Sequence, residues 1–144
     1  MTVNQQQDLI IEEFSGLDDW MDRYAYIIEL GNALPPLPET DKVPDNLIDG
    51  CQSRVWLTAE KQADGTLIFR ADSDAIIVKG IIALLLNVLS GHTPDDILNA
   101  DLYFIKRIGL QDNLSPTRSN GLAAMVRLIR AYAFTYSQTA TTQS

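Results

Sequence analysis

Thiols are nearly absent from this 144-residue chain, in which Cys51 is the only cysteine. One thiol excludes an internal disulfide. It also excludes a zinc or iron–sulfur site built from this chain's thiolates alone, because such sites need several converging on the metal. Histidine is equally scarce, with His92 the single one. Cations are few: 11 lysines and arginines against 19 acids give a formal charge of −8. That balance works against nucleic-acid binding, which needs clustered Lys and Arg to displace phosphate counterions. Long apolar runs are missing too. The most apolar stretch, Ile76 to Leu89, is interrupted by Lys79, Gly80 and Asn87 and falls short of the roughly 20 residues of a membrane span. Met1 to Asp8 is polar and lacks the basic start and apolar core of a signal peptide. The expectation is a cytoplasmic protein with neither nucleic acid nor membrane as partner.

What is present suits a single globular domain over residues 1–144. The chain is 46% hydrophobic and 21% charged, and its length suffices for a core without staples. The Thr/Ser/Gln stretch from 137 to 144 reads as a flexible tail. Gln5 to Phe14 predicts a short helix ended by Ser15-Gly16. Leu17, Trp20, Met21, Tyr24, Ile27 and Ile28 recur at three- and four-residue spacing, with Asp18 and Asp19 at the start and Gly31 just past the end. This predicts an amphipathic helix with both termini marked. Leu34-Pro35-Pro36-Leu37-Pro38 cannot continue it, so an extended arm should run to about Asn46.

Val55 to Glu60 and Thr66 to Ala71 read as an antiparallel hairpin turned by Asp64-Gly65, the pair that supplies positive φ. Leu67, Phe69 and Ala71 should share one face, with Thr66, Ile68 and Arg70 on the other. Asp72-Ser73-Asp74 offers cap chemistry to a helix from about Ala75 to Leu89, apolar nearly all round and therefore central. Gly91 ends it. Thr93-Pro94-Asp95-Asp96 supplies a cap, a first-turn proline and acids on the helix dipole for another helix. Ser115-Pro116 repeats the start signal for a last helix carrying Leu122, Met125, Ile129, Tyr132 and Tyr136 on one face. The fold class is α+β, a small antiparallel sheet packed against several helices.

Cys51 carries the chemistry, if any residue does. A lone cysteine is ordinarily an inert core residue, but Asp49-Gly50-Cys51-Gln52-Ser53 is polar and loop-like, between arm and strand, where a scaffold presents side chains. Gly50 frees the backbone there. A cysteine hydrolase would need His92 as its base, and no protease signature surrounds either residue. Thiol-to-thiol sulfur transfer asks for less, since a thiolate attacks a sulfur–sulfur bond without oxyanion or obligatory base. The lack of a resolving cysteine suits that chemistry.

Four groups of residues then resemble one family. They are Tyr26-Ile27-Ile28-Glu29-Leu30-Gly31 with Leu34-Pro35, and Gly50-Cys51-Gln52-Ser53-Arg54-Val55-Trp56. The others are Asp72-Ser73-Asp74-Ala75 with Ile77-Val78-Lys79-Gly80, and Leu114-Ser115-Pro116-Thr117-Arg118-Ser119 with Gly121-Leu122. In order and spacing, from about Leu9 to Ala133, they are similar to the SufE family of cysteine desulfuration proteins. Gln-Ser after the cysteine is closer to SufE proper than to its paralogue CsdE.

The resemblance implies an α+β fold like that of the IscU scaffolds, with Cys51 accepting sulfur as a persulfide at a loop tip. It implies two partners, a SufS-type cysteine desulfurase and an iron–sulfur assembly scaffold of SufBCD type. The desulfurase holds the pyridoxal phosphate and is stimulated, while this chain needs no cofactor and no metal. Gly50, Gln52, Ser53, Asp74 and Arg118 would support the Cys51 loop or the partner interface, Arg118 by favouring the thiolate or persulfide anion. Trp56 reads as structural. Self-association into a homodimer is left open. The alternatives are the Cys51–His92 hydrolase and a module that activates the desulfurase by contact alone.

Overall fold

The first helix begins earlier than its apolar residues announce. Thr2 and Gln5 form a reciprocal capping box, Thr2 Oγ1 accepting from the Gln5 N–H and Gln5 Oε1 from the Thr2 N–H, so two orphan donors are satisfied at once. The computed structural model describes residues 1–50 and 52–143, with side chains through Gln138; Cys51 and Ser144 lie outside the described residues. In it α1 spans Val3–Ser15 and α2 Trp20–Ala33, followed by an arm and the strands β1, Val55–Lys61, and β2, Leu67–Ser73. The helices α3, Ile76–Leu89, α4, Pro94–Asn99, α5, Phe104–Arg107, and α6, Pro116–Gln143, complete the chain. The architecture is the expected α+β class, its described sheet having two antiparallel strands. No described helix is long and apolar enough to cross a membrane.

Helix α3 is the core element. All its residues except Ile76, Lys79 and Asn87 are buried, so it must be covered on every side. The sheet, α1, α2 and α6 supply that cover. The β2 alternation is as expected: Leu67, Phe69 and Ala71 are buried on the α3 side, while Ile68 and Arg70 face away.

Several local expectations give way to tertiary context. Gly31 lies inside α2 rather than past its end, and it packs directly against Gly80 of α3. A Cβ on Gly80 would stand 2.2 Å from the Ile27 carbonyl oxygen, and one on Gly31 would stand 2.6 Å from the Gly80 nitrogen. Only hydrogen at both positions permits this crossing. Met21, placed by spacing on the apolar face of α2, is 75% exposed. The arm is not uniformly extended: it contains 3-10 turns at Glu39–Asp41 and Pro44–Asn46, the second begun by a proline whose fixed φ suits the position. At the hairpin, Gly65 alone has positive φ, while Asp64 accepts from the N–H and hydroxyl of Thr66. Helix α6 continues through Gln143, into the stretch read as a tail.

Both edges of the small sheet are closed by groups that are not strands, which removes the pairing hazard of open edges. Tyr132 and Tyr136 hydroxyls from α6 donate to the Leu57 and Ala59 carbonyls. On the other edge Ser90 Oγ accepts from the Phe69 N–H, and the Leu67 N–H donates to the His92 carbonyl. Gln7 is the other polar anchor. Fully buried, it accepts from the Phe104 N–H and donates to the Asp101 carbonyl, tying α1 to α5.

Candidate functional site

The residues flanking Cys51 leave the hairpin end at a narrow neck. The Ile48 N–H donates to the Val55 carbonyl at 2.8 Å, and Leu47 forms an antiparallel bridge with Trp56. Arg54, on the outgoing side, is held three ways. Its N–H donates to Asp74 Oδ1 at 3.0 Å, and its carbonyl accepts from the Ser73 hydroxyl and the Asp74 N–H. Asp74 therefore fixes the base of the loop and does not cap α3. The N-cap is Ala75, without a side-chain bond, and Ser73 Oγ accepts from the Ala75 N–H instead.

Between those anchors Gly50 lies against α6. Gly50 has φ of +93°, and a Cβ there would lie 3.3 Å from Ala124 Cβ and 3.9 Å from an Arg127 guanidinium nitrogen. Any larger residue would be strained in backbone and crowded by the helix. Gln52 and Ser53 border a cavity of about 470 Å3. Buried Val78 and Ile81 of α3 and Met125 of α6 give it an apolar floor, and Ser115, Thr117 and Arg118 line the side where α6 begins. Arg118 sits in the first turn, its N–H donating to Ser115 Oγ at 3.3 Å. Its side chain is exposed and makes no ion pair among the described residues. The expected residues Gly50, Gln52, Ser53, Asp74 and Arg118 thus gather at one end of the molecule. Cys51, the residue they were expected to serve, lies outside the described residues.

Sequence reasoning missed the cavity floor, because Val78, Ile81 and Met125 read simply as core. It also misread Asp72. Expected to offer cap chemistry, Asp72 is only 5% exposed and makes a buried cluster. Lys42 Nζ and Lys79 Nζ each lie 3.4 Å from one of its carboxylate oxygens, and the N–H groups of Leu37 and Ser73 donate to it. Lys42 also stands 5.6 Å over the Trp56 ring. The register explains how, since Trp56 and Asp72 are cross-strand partners and share the face turned away from α3. The arm lays Lys42 between them.

Burial alone would raise the Asp72 pKa, but the two N–H donors and the two ammonium groups outweigh it and hold the carboxyl below its ordinary value. A depressed folded pKa contributes stability that is complete above the unfolded value near 3.8 and lost as the pH falls through the folded one. Urea midpoints should therefore fall for the wild type between about pH 5 and pH 3, and fall less for Asp72→Asn. Parallel pH curves for the two proteins would contradict this.

His92 is placed elsewhere. It lies in the turn after α3, whereas Val78, which lines the cavity with Ser53, lies in the first turn of α3, and a helix of 14 residues spans about 20 Å. His92 is half-buried beside Asp96, and burial lowers its pKa. The residues around it, Met1, Thr2, Asn4, Gln5 and Asn99 among them, carry no thiol. The His92→Ala variant should therefore keep the rate of Cys51 alkylation by iodoacetamide within about twofold of wild type, measured by mass spectrometry. A loss of tenfold or so would restore the dyad. Among the described residues no group of His, Cys, Asp or Glu could hold a metal ion.

Comparison with known proteins bears on the same residues. The family model "SufE: Fe-S metabolism associated domain" matches residues 8–133. An uncharacterized SufE-like protein of Rhizobium etli is 47% identical over 130 residues, covering 88% of each chain. The solution structure of a hypothetical protein from Thermus thermophilus superposes with a TM-score of 0.76. It covers 92% of this chain and 96% of its own, and its 22% identity speaks for the fold alone. A family match running from α1 to Ala133 takes in the neck, the cavity and both limbs of the loop. The chain belongs to the SufE family, and with it to the sulfur-transfer side of iron–sulfur metabolism, in company with a cysteine desulfurase.

Proposed function

We propose that Cys51 accepts the persulfide sulfur of a SufS-type cysteine desulfurase, stimulates that enzyme by removing its product, and delivers the sulfur to an iron–sulfur assembly scaffold of SufBCD type. The observation that carries this reading is the placement of Gly50, Gln52 and Ser53, the neighbours of Cys51 on both sides. Gln52 and Ser53 border a cavity with an apolar floor and one arginine at its rim, and Gly50 lies against Ala124 of α6.

The step balances without an added oxidant. The Cys51 thiolate attacks the outer sulfur of the desulfurase cysteine persulfide. A sulfur–sulfur bond forms to Cys51 as the one on the enzyme breaks, and the enzyme's cysteine leaves as a thiolate. The electron pair of the broken bond goes with that leaving thiolate, and the proton on the outer sulfur stays with it as it moves. A thiolate on the scaffold takes the sulfur by the same exchange. Arg118 stabilises the anionic thiolate and persulfide forms, and the apolar floor shelters the cargo from ambient thiols. Gly50 allows the loop to turn on α6, Asp74 fixes its outgoing limb, and Gln52 and Ser53 form the rim nearest the partner.

The test is intact mass after incubation with desulfurase, cysteine and pyridoxal phosphate. A gain of one sulfur atom mapped to Cys51 is expected. No gain, or a gain mapped to any other residue, sinks the reading.

A further inference from the structure

We propose that Arg54 and Arg127, together with Arg118, form a cationic cradle that docks a carboxylate-bearing surface of the cysteine desulfurase. This rests on the carrier reading above. Five of the chain's 11 cations are held internally. Lys42 and Lys79 lie against Asp72, Arg70 lies against Glu60, and Arg23 and Arg130 donate to the Ile108 and Ala100 carbonyls. Of the six that remain, three are gathered where the chain flanks Cys51. Arg54, Arg118 and Arg127 are all exposed, and none of their guanidinium groups makes an ion pair among the described residues.

Each of the three is placed by a fixed element. An Arg127 guanidinium nitrogen lies 3.9 Å from where a Gly50 Cβ would stand, and Arg118 lines the cavity with Gln52 and Ser53. The Arg54 backbone is bonded to Ser73 and Asp74, which leaves only its side chain free. Arg118 and Arg127 are nine residues apart, about 14 Å along the axis of α6. That helix supplies no opposing charge: none of the 19 acids falls within Pro116–Gln143. Asp49 and Asp74 are the acids on the two limbs, and neither forms an ion pair with a guanidinium.

A guanidinium without an internal partner gives up no ion pair on docking, and its planar fork suits a carboxylate. In a chain of net charge −8, a local cationic end also orients approach, because an acidic partner repels the rest of the molecule. A second copy would have to offer its own acids. Seven of them lie between Asp8 and Glu29, on α1, α2 and their connection rather than on α6, so that contact would be head-to-tail and would not close as a two-fold dimer. The desulfurase is the partner whose persulfide must come to this end.

The experiment measures association of the full chain with the desulfurase at about 50 and about 300 mM salt. It compares wild type with Arg54→Gln/Arg127→Gln, in which Arg118 is untouched. Lys61→Gln is the control, since Lys61 also lacks an ion pair among the described residues and sits at the far end of β1, about 20 Å from Val55. At low salt the double variant should associate about tenfold more slowly than wild type, with the dissociation rate changed about twofold or less. The salt dependence of its association should flatten, and Lys61→Gln should stay within about twofold of wild type throughout.

An unchanged association rate and salt slope in the double variant would overturn the proposal. So would an equal loss in Lys61→Gln, which reports net charge rather than a local surface. Sedimentation at the same concentrations covers the remaining occupant: self-association of wild type that the double variant loses would assign the arginines to a second copy, and the proposal falls. Sulfur uptake by wild type is scored separately. Its absence sinks the carrier reading while the association rates still decide the docking surface, and its presence beside unchanged rates sinks the docking surface alone.

Discussion

Gly80→Ala is expected to lower the urea unfolding midpoint sharply, whereas Gly16→Ala is expected to be silent. The two substitutions add the same methyl group to two helix-associated glycines, and their surroundings differ. At Gly80 the new carbon would lie 2.2 Å from the Ile27 carbonyl oxygen and 2.6 Å from that residue's Cγ2. The nearest atom is backbone, so no rotamer change relieves the overlap, and α2 must move bodily off α3. Since α3 is the buried centre of the molecule, that displacement opens the core along the whole crossing. Overpacking of this kind costs about 3 kcal/mol or more, against a total stability of roughly 5–15 kcal/mol for a domain. At Gly16, φ is −79° and the new carbon meets only the Glu13 carbonyl at 3.6 Å, ordinary contact worth less than about 0.5 kcal/mol either way. Urea unfolding followed by circular dichroism gives both values. A Gly80→Ala midpoint within error of wild type would show that the helices do not cross this closely.

The Gly31–Gly80 crossing also shows where sequence reading stops. The hairpin, the α3 core and the Thr93-Pro94-Asp95-Asp96 start were legible because each is specified by neighbours in the chain: alternation of apolar residues, a run of them, a cap followed by proline and acids. Gly31 carries the same local signature as a helix-ending glycine, and only the partner 49 positions away in sequence makes it an interior one. Asp72 fails for the same reason. Beside Ser73 and Asp74 it looks like capping chemistry, and the lysines that bury it come from the arm and from α3.

The site divides along that line. Cys51 was picked out by scarcity and by its polar neighbours, and Arg118 by the resemblance of Leu114 to Ser119 to a family motif. The cavity floor of Val78, Ile81 and Met125 was not, because an apolar residue facing a void and one facing core look alike in sequence. Long-range geometry decides which is which.

Cys51→Ser should separate a carrier from a contact activator in one experiment. The substitution exchanges sulfur for oxygen and alters nothing else in the loop, so the neck bonds of Ile48 and Arg54 and the seat of Gly50 on α6 are expected to survive. A serine hydroxyl is not ionised near neutral pH and cannot displace a thiolate from a sulfur–sulfur bond to give a persulfide. Uptake of sulfur by the variant should therefore vanish entirely. Stimulation should vanish with it, since the desulfurase would again wait for solvent thiols to clear its persulfide, and turnover should return to that of the enzyme alone. The same variant should still compete with wild type for the desulfurase, because the rim residues Gln52, Ser53 and Arg118 remain. Dominant inhibition when the two are mixed is thus the positive signature, and it guards against a trivial loss of folding. If Cys51→Ser stimulates turnover as well as wild type while carrying no sulfur, binding alone activates the enzyme, and the thiol is not what the loop is built to present.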